Sequence, residues 1–404
     1  MKPFRIGFVV PDDSTAWLYY HHLIEVLLEA GAELTVLSAA GPFVSRFRAI
    51  GVNHIAVPYE RFVSPLHDIS LIRELRRAFI LQRFDVVQNF TVKANLYGAL
   101  AAIRAGIPTI INTVEGAGIL WSDSRSPRIR FLRAIVEAGL RYVRPKVFRY
   151  WFVNAYDRSL FLERGLALRE RSVIAISTGV DTAEFNPKAI SNGEIESFRR
   201  ELEIPPGVPV ITMVAGRLLR SKGVETFLYV ARRLRDAGIA GQAVLIGPED
   251  PGHPDALDPS IVHRAADDGL VRWTGFRNDI AAIYASSDVV VVPTAYAEGI
   301  AKSVVEPMAM AKPVVCFRTP AIEEMVRAGI DSILAAQGDA DELFNGVVEL
   351  LQSPRRRTEI GWAAQEAARA RFDARKQAER AVARVYGDLP GWPPRRSTTT
   401  KGAA

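Results

Sequence analysis

Short apolar runs alternate along the chain with longer stretches whose apolar positions recur at helical spacing. In the first half the runs fall at residues 5–10, 34–37, 54–57, 85–87, 109–112, 150–153 and 173–176. Amphipathic stretches such as 18–30, 71–81 and 94–105 lie between them. Runs such as Phe8-Val9-Val10 have no polar alternation, which predicts strands buried on both faces. Strands separated by helices of this length predict parallel βαβ units. The pattern pauses between Asn186-Pro187 and Pro205-Pro206-Gly207, then restarts at 210–215, 242–246, 271–274, 289–292, 314–317 and 332–334. The expectation is an α/β chain of two doubly wound domains, residues 1–190 and 191–372. A closing helix at 373–387 follows, then a tail at 388–404 that lacks periodicity and is expected to be disordered from about Pro393. Ligands of such sheets sit outside the carboxyl ends of the strands, where helix N-termini point.

Across 404 residues, 49% hydrophobic and 24% charged positions exclude a fibre or a disordered chain. A formal net charge of +6 favours anionic partners such as nucleotides, phosphates or acidic lipid, and does not call for nucleic acid. The one cysteine, Cys316, excludes an intrachain disulfide and a cysteine metal cluster, and points to a reducing compartment. No run reaches the roughly 20 apolar residues that span a bilayer. The most apolar stretch, 99–111, is broken by Arg104 and Pro108. The opening MKPFRIGFVVPDD reads as a first strand rather than a signal peptide. The expected location is the cytoplasm.

The candidate chemistry concentrates in the second half. Gly216-Arg217-Leu218-Leu219-Arg220-Ser221-Lys222-Gly223 directly follows a strand. Gly216 is expected to let the backbone turn sharply and Gly223 to keep the next turn open. Arg217 offers a planar fork of donors and Lys222 a compact charge, a combination that suits a diphosphate. A solvated basic turn is the alternative. Glu298-Gly299-Ile300-Ala301-Lys302-Ser303-Val304-Val305-Glu306-Pro307 follows a second strand. It puts Glu298 in a loop and Glu306 in the first turns of a helix, with Pro307 fitting near that helix start. Carboxylates accept paired hydrogen bonds from vicinal hydroxyls of a ribose or sugar ring. The alternative is a helix that caps itself through Ser303 and Glu306. The shorter turns Gly247-Pro248-Glu249 and Thr274-Gly275-Phe276 could let backbone approach a base, or be plain βα turns.

In this order and spacing, GRLLRSKG, LIGPE, TGF and EGIAKSVVEPMAMAKPVV resemble the donor domain of the retaining glycosyltransferase family 4, of GT-B fold, with two Rossmann-like domains facing across a cleft. Ser177-Thr178-Gly179-Val180-Asp181 with Phe185-Asn186-Pro187 is similar to that family's interdomain segment, and RFDARKQAERAVARVY to its closing helix. The resemblance implies that Arg217 and Lys222 hold the diphosphate of a nucleotide sugar, with a UDP-sugar favoured. It implies Glu306 on the ribose and Glu298 on the reacting side of the sugar. Gly216, Gly247 and the backbone of Gly299, Ile300 and Ala301 would line the donor, and Phe276 would approach the base. Ile300 and Ala301 depart from the family's EGF-P pattern, which bears on the donor sugar.

In the first domain, Asn89-Phe90-Thr91-Val92-Lys93-Ala94-Asn95-Leu96-Tyr97-Gly98 resembles bacterial members that extend lipid-linked sugars for surface polysaccharides or glycoprotein glycans. On that footing Lys93, Asn95, Glu115 and Gly116 are acceptor-site candidates, with Glu115 able to bind an acceptor hydroxyl or assist proton removal. Glu115 as a solvated turn acid is the alternative. The Gly-Gly common after the family's first strand is replaced by Pro11-Asp12-Asp13-Ser14-Thr15. Arg125, Arg128, Arg130, Arg133, Arg141, Arg144, Lys146 and Arg149, interleaved with Leu132, Ile135, Val136, Leu140 and Val143, make a basic amphipathic stretch. It suits the anionic inner face of the cytoplasmic membrane, or is a packed helix with a basic outer face.

The six histidines are scattered, and Asp339-Ala340-Asp341 reads as a helix N-cap, so no metal site and no cofactor are expected. The reading is a retaining, metal-independent hexosyltransferase that uses a nucleoside-diphosphate sugar and a lipid-linked saccharide acceptor. A GT-B sugar-nucleotide epimerase would need a carboxylate–histidine set in the cleft that the histidine placement does not supply. A non-catalytic nucleotide-sugar-binding partner is the third class, and Arg217, Lys222, Glu298 and Glu306 together argue against it.

Overall fold

The computed structural model describes residues 3–61, 64–116, 118–121, 126–295 and 298–392. The described residues form two compact units, one of residues 3–179 with 374–392 and one of residues 180–373.

The first unit holds strands β1 (Phe4–Asp12), β2 (Ala32–Ala39), β3 (Asn53–Ala56), β4 (Val86–Phe90), β5 (Thr109–Val114), β6 (Arg149–Phe152) and β7 (Ser172–Ile174). They pair in parallel in the order β3-β2-β1-β4-β5-β6-β7. Phe8 and Val10 pack with the helices Asp13–Glu29 and Ala374–Tyr386. Val9 and Val87 pack on the other face with the helices Pro65–Gln82, Val92–Ala105 and Pro127–Val143. Two covered faces explain the unbroken apolar runs. The strand order reverses at β1 and β4, which makes their carboxyl ends a topological switch point.

The second unit holds β8 (Val210–Val214), β9 (Gln242–Ile246), β10 (Val271–Trp273), β11 (Val289–Val292), β12 (Val314–Phe317) and β13 (Ile333–Ala335). They are parallel in the order β10-β9-β8-β11-β12-β13, with the switch point between β8 and β11. Each expected strand is present, with its ends moved by a few residues at most. Asp339 caps the helix Ala340–Gln352, accepting from the Glu342 N–H at 2.9 Å.

The second unit begins at Val180, before the expected boundary at 190. Val180 donates its N–H to the Phe372 carbonyl at 2.8 Å, and the Phe185 ring lies 6.4 Å from Tyr284, so this segment packs with residues of the second unit. The helix Ala374–Tyr386 belongs to the first unit. Arg375 pairs with Glu29, and Tyr386 donates to the buried Gln88. Residues 388–392 are packed as well, which corrects the expected tail. Asp388 pairs with Arg149 at 2.6 Å, Leu389 is buried, and Trp392 meets Phe4 edge-on at 5.4 Å. Pro393 and everything after it lie outside the described residues.

Candidate functional site

After β8 the chain makes one 3-10 turn, Arg220–Lys222, and Gly223 then opens the helix Val224–Asp236. Gly223 has φ 80, and a Cβ there would overlap the Pro293 carbonyl oxygen in the loop after β11. Glycine is therefore what lets the two switch-point loops approach each other. Gly247 after β9 has φ 145, and its Cβ would overlap the Ala215 carbonyl. Gly216 differs from expectation. It does not adopt the left-handed conformation, and a Cβ there would meet no neighbour within 4 Å, so the turn does not need its freedom.

Ser221 ties three loops together. Its N–H donates to Asp255 Oδ2 at 3.1 Å, its hydroxyl donates to the same oxygen, and its carbonyl accepts from the Ala295 N–H at 2.9 Å. The next residue, Lys222, donates to Glu298 across the switch point. Both side chains are largely buried, 23% and 15% exposed, and a desolvated ammonium needs an anion beside it. Thr294 also approaches Glu298, its hydroxyl donating at 3.4 Å. Arg217, about half exposed, faces Asp250 from the loop after β9 at 3.4 Å. The structure thus brings Arg217, Lys222 and Glu298 to one strand edge, with each cation facing a carboxylate.

Glu306 stands in the helix Lys302–Ala309, half-buried near the fully buried Tyr284. Burial pushes its carboxyl up to about 7, Lys302 opposing and Glu184 reinforcing the shift. Its side chain makes no hydrogen bond to another described residue. The Ser303–Glu306 capping box is not formed. Ala301 is the N-cap and offers no side-chain acceptor, while Pro307 sits inside the helix rather than at its start. The helices after Gly223 and Ala301 both begin without a side-chain cap, so their first-turn N–H groups have no N-cap side-chain acceptor. Gly299 and Ala301 are buried and Ile300 half-buried; Tyr296 and Ala297 lie outside the described residues.

Further along the same edge Gly247 is held on both sides. Its N–H donates to the Gly275 carbonyl and its carbonyl accepts from Trp273 Nε1, both at 2.9 Å. Beside it the Phe276 ring is 66% exposed.

In the first unit Glu115 follows β5. One carboxylate oxygen accepts from the Tyr20 hydroxyl and the other from the Ser177 hydroxyl. Burial, then the Glu115 charge, push the Tyr20 phenol well up, which keeps it a proton donor. Gly116 continues the turn with φ 116. Lys93 and Asn95 stand in the first turns of the helix Val92–Ala105 that follows β4, each tied into the fold. Lys93 pairs with Asp68 at 2.7 Å, donates to the Glu60 carbonyl at 2.6 Å and lies over the rings of Tyr59 and Tyr97. Asn95 is buried and donates to the Thr113 carbonyl at 2.9 Å. The segment carries strain as well, since Thr91 has φ 76.

The basic stretch forms the helix Pro127–Val143 and the turn Arg144–Lys146. Val136, Leu140 and Val143 face the core. Buried Glu137 accepts from Trp121, Arg141 and Arg164; burial alone would raise its carboxyl, but these donors outweigh it and hold the group below the usual range. Phe131, Ile135, Ala138 and Tyr142 recur at helical spacing on the outer side, and Phe131 and Tyr142 are about 70% exposed. Arg128, Arg130, Arg141 and Lys146 are exposed. Three of the expected surface cations are turned inward: Arg133 to the Leu120 carbonyl, Arg144 to Gly165 and Arg149 to Asp388. Arg125 lies outside the described residues.

Several residues escaped the sequence reading. Tyr20 and Ser177 meet Glu115 only through the fold, although Ser177 opens a segment already marked by resemblance. Asp250, Asp255 and Thr294 carry no local signal, because their partners lie on other loops.

Residues 14–177 match the family model described as glycosyl transferase 4-like domain, and residues 209–353 the model described as glycosyl transferases group 1. The chain is 26% identical over 387 residues to the N,N'-diacetylbacillosaminyl-diphospho-undecaprenol alpha-1,3-N-acetylgalactosaminyltransferase of Campylobacter jejuni subsp. jejuni, covering 95% of this chain and 97% of the relative. It is 23% identical over 293 residues to the UDP-Gal:alpha-D-GlcNAc-diphosphoundecaprenol alpha-1,3-galactosyltransferase of Escherichia coli, 72% of each chain. Anabaena Alr3699/HepE, solved with UDP and glucose, shares the fold with a TM-score of 0.75 at 20% identity, covering 95% of this chain and 99% of that one.

Proposed function

The chain belongs to glycosyltransferase family 4, and from that premise we propose that it moves a sugar, with retention of anomeric configuration, from a UDP-sugar to a polyprenyl-diphosphate-linked saccharide. The observation that carries this reading is the convergence of Arg217, Lys222 and Glu298 at the β8–β11 switch point. Breaking the anomeric C–O bond develops positive charge on the sugar and negative charge on the departing diphosphate. Arg217 and Lys222, with the uncapped helix starts behind Gly223 and Ala301, are the groups that stabilise that negative charge. Adjacent strands lie about 4.8 Å apart, so β10 and β8, two spacings apart, are separated by roughly 10 Å. That span lets the base lie near Gly247 and Phe276 while the diphosphate reaches Lys222. Glu306 takes the ribose hydroxyls and Glu298 faces the sugar. The acceptor hydroxyl attacks from the leaving-group side, and the departing phosphate takes its proton.

Glu115, oriented by Tyr20 and Ser177, is the acceptor-side carboxylate of this reading. The lipid-linked acceptor is supported by the two relatives, whose names both specify a diphosphoundecaprenol substrate. No described helix is long and apolar enough to cross a membrane. Peripheral contact through the helix Pro127–Val143 would bring the enzyme to such an acceptor at the inner face of the cytoplasmic membrane. Both matched families are transferases, which leaves the epimerase and the non-catalytic readings without support.

The test is nucleotide release from a panel of UDP- and GDP-sugars, with and without polyprenyl-diphosphate-linked saccharide, followed by NMR of the product. Acceptor-dependent UDP release with an α product from an α donor is expected. Inversion, or release that ignores the lipid acceptor, overturns the respective part.

A further inference from the structure

The loop that presents Lys222 has little regular structure of its own, and one carboxylate outside it holds its shape. Asp255 comes from the loop after β9. A single oxygen of its side chain accepts both the N–H and the hydroxyl of Ser221, the residue before Lys222. Its backbone is fixed too. The Asp255 carbonyl accepts from the Arg220 N–H at 3.0 Å, and its N–H donates to His253 Nδ1 at 3.0 Å. Leu219 and Ala256 bridge alongside in antiparallel fashion. On the other side of Ser221 its carbonyl is held by the Ala295 N–H. Ser221 is therefore clamped between the loops after β9 and β11, and the next residue, Lys222, pairs with Glu298.

We propose that Asp255 is a positioning residue for glycosyl transfer, acting through Ser221 to hold Lys222 where the leaving diphosphate is bound; this rests on the reading of Arg217 and Lys222 as the diphosphate clamp. Asp255 does not touch the donor. Two hydrogen bonds to one ionised oxygen are strong, and the Ser221 N–H has no other acceptor in the 3-10 turn. Without them the turn loses the anchor that fixes where the Lys222 side chain starts.

The test compares affinity for a nucleoside diphosphate with affinity for its nucleoside, using UDP and uridine, and GDP and guanosine in parallel. Only the diphosphate meets the clamp, so the ratio isolates the clamp from base binding and from general stability. Asp255→Ala is expected to reduce the ratio about 10-fold, the loss expected for hydrogen bonds to a charged group, with nucleoside affinity unchanged. Asp255→Asn, which keeps an acceptor oxygen in place, is expected to recover most of it. Ser221→Ala, which removes the hydroxyl donor alone, is expected to lower it by about 3-fold and to combine less than additively with Asp255→Ala. Should Asp255→Ala fail to fold, Ser221→Ala and Asp255→Asn carry the same comparison. A wild-type ratio in the Asp255 and Ser221 variants, alongside a collapsed ratio in Lys222→Ala, overturns the positioning role. A wild-type ratio in Lys222→Ala overturns the clamp reading instead.

Discussion

Lys222 and Glu298 form an ion pair across the β8–β11 switch point, joining the two residues assigned to opposite ends of the bond that breaks. Before donor arrives, each neutralises the other in a largely buried setting. A diphosphate entering beside Lys222 competes with Glu298 for the ammonium, which leaves the carboxylate to face the sugar. Glu298→Gln removes the competitor, so UDP should inhibit the variant more strongly while turnover falls. A tightening of about 10-fold corresponds to about 1.4 kcal/mol. Lys222→Ala should weaken UDP inhibition and cut turnover by about 10²-fold. Inhibition constants for UDP in the two variants check the opposite signs; equal constants would show that the pair does not gate the phosphate site.

Glu306 should make donor use fall as the pH drops through neutrality. Burial sets its carboxyl near 7, and protonation turns one of its two oxygens into a donor, so the acid can no longer accept with both oxygens from the two ribose hydroxyls. The kcat/KM for donor should decline below about pH 7, and Glu306→Gln should flatten that limb at a lower level. Stability runs the other way. The folded value lies above the ordinary 4.5, so the stabilising contribution is complete below pH 4.5 and is lost as the pH rises through 7. Glu306→Gln should therefore gain stability over the parent at pH 8, by at most about 3 kcal/mol, and little at pH 5. Denaturant midpoints at the two pH values test this.

Gly223→Ala should be far more damaging than Gly216→Ala. At 223 the new Cβ enters the left-handed region and overlaps the Pro293 carbonyl; at 216 it meets neither obstacle. Strain in that region costs of order 1–3 kcal/mol before the clash is counted. Thermal unfolding should show a clear loss for Gly223→Ala and a small shift for Gly216→Ala. If Gly216 is where the donor approaches, its variant should lose donor affinity at nearly unchanged stability.

These contrasts mark what could be read from the sequence and what could not. Unbroken runs such as Phe8-Val9-Val10 and Val289–Val292 have one physical solution, a strand covered on both faces, so the strand order along the chain was legible. Glycine at 223 was legible as an open turn, whereas glycine at 216 looked equivalent and is not, because conformational need depends on neighbours distant in sequence. Lys222 and Glu298 were found separately, but their pairing requires the sheet order that sets β8 beside β11. Asp255 and Tyr20 had no local mark at all, since each acts on a partner in another loop or element. Lys93 and Asn95 were legible as polar residues of a suggestive motif, but their partners in the fold, Asp68 and the Thr113 carbonyl, lie on other elements and were not.

The helix Pro127–Val143 should bind membranes through two separable forces. Phe131, Ile135 and Tyr142 stand out from the protein at helical spacing, with Arg128 and Arg130 exposed on the same helix. Each Arg near an anionic surface is worth about 1 kcal/mol and is screened by salt. Burying a Phe or Ile side chain is worth about 1.5–3 kcal/mol and is not screened. Vesicles containing anionic lipid should therefore sediment the protein strongly at low salt and retain a weaker fraction at high salt. Reversing Arg128 and Arg130 to Glu should remove the salt-sensitive part. Replacing Phe131 and Tyr142 by Ser should remove the salt-resistant part. Arg133 is left out of the reversal because its side chain donates to the Leu120 carbonyl, so changing it would disturb the fold. Both sets should leave UDP binding unchanged, because the residues assigned to the donor lie in the other unit. Binding that vanishes entirely with salt would reduce the aromatic stripe to ordinary exposed surface. Binding indifferent to lipid charge would do the same for the arginines.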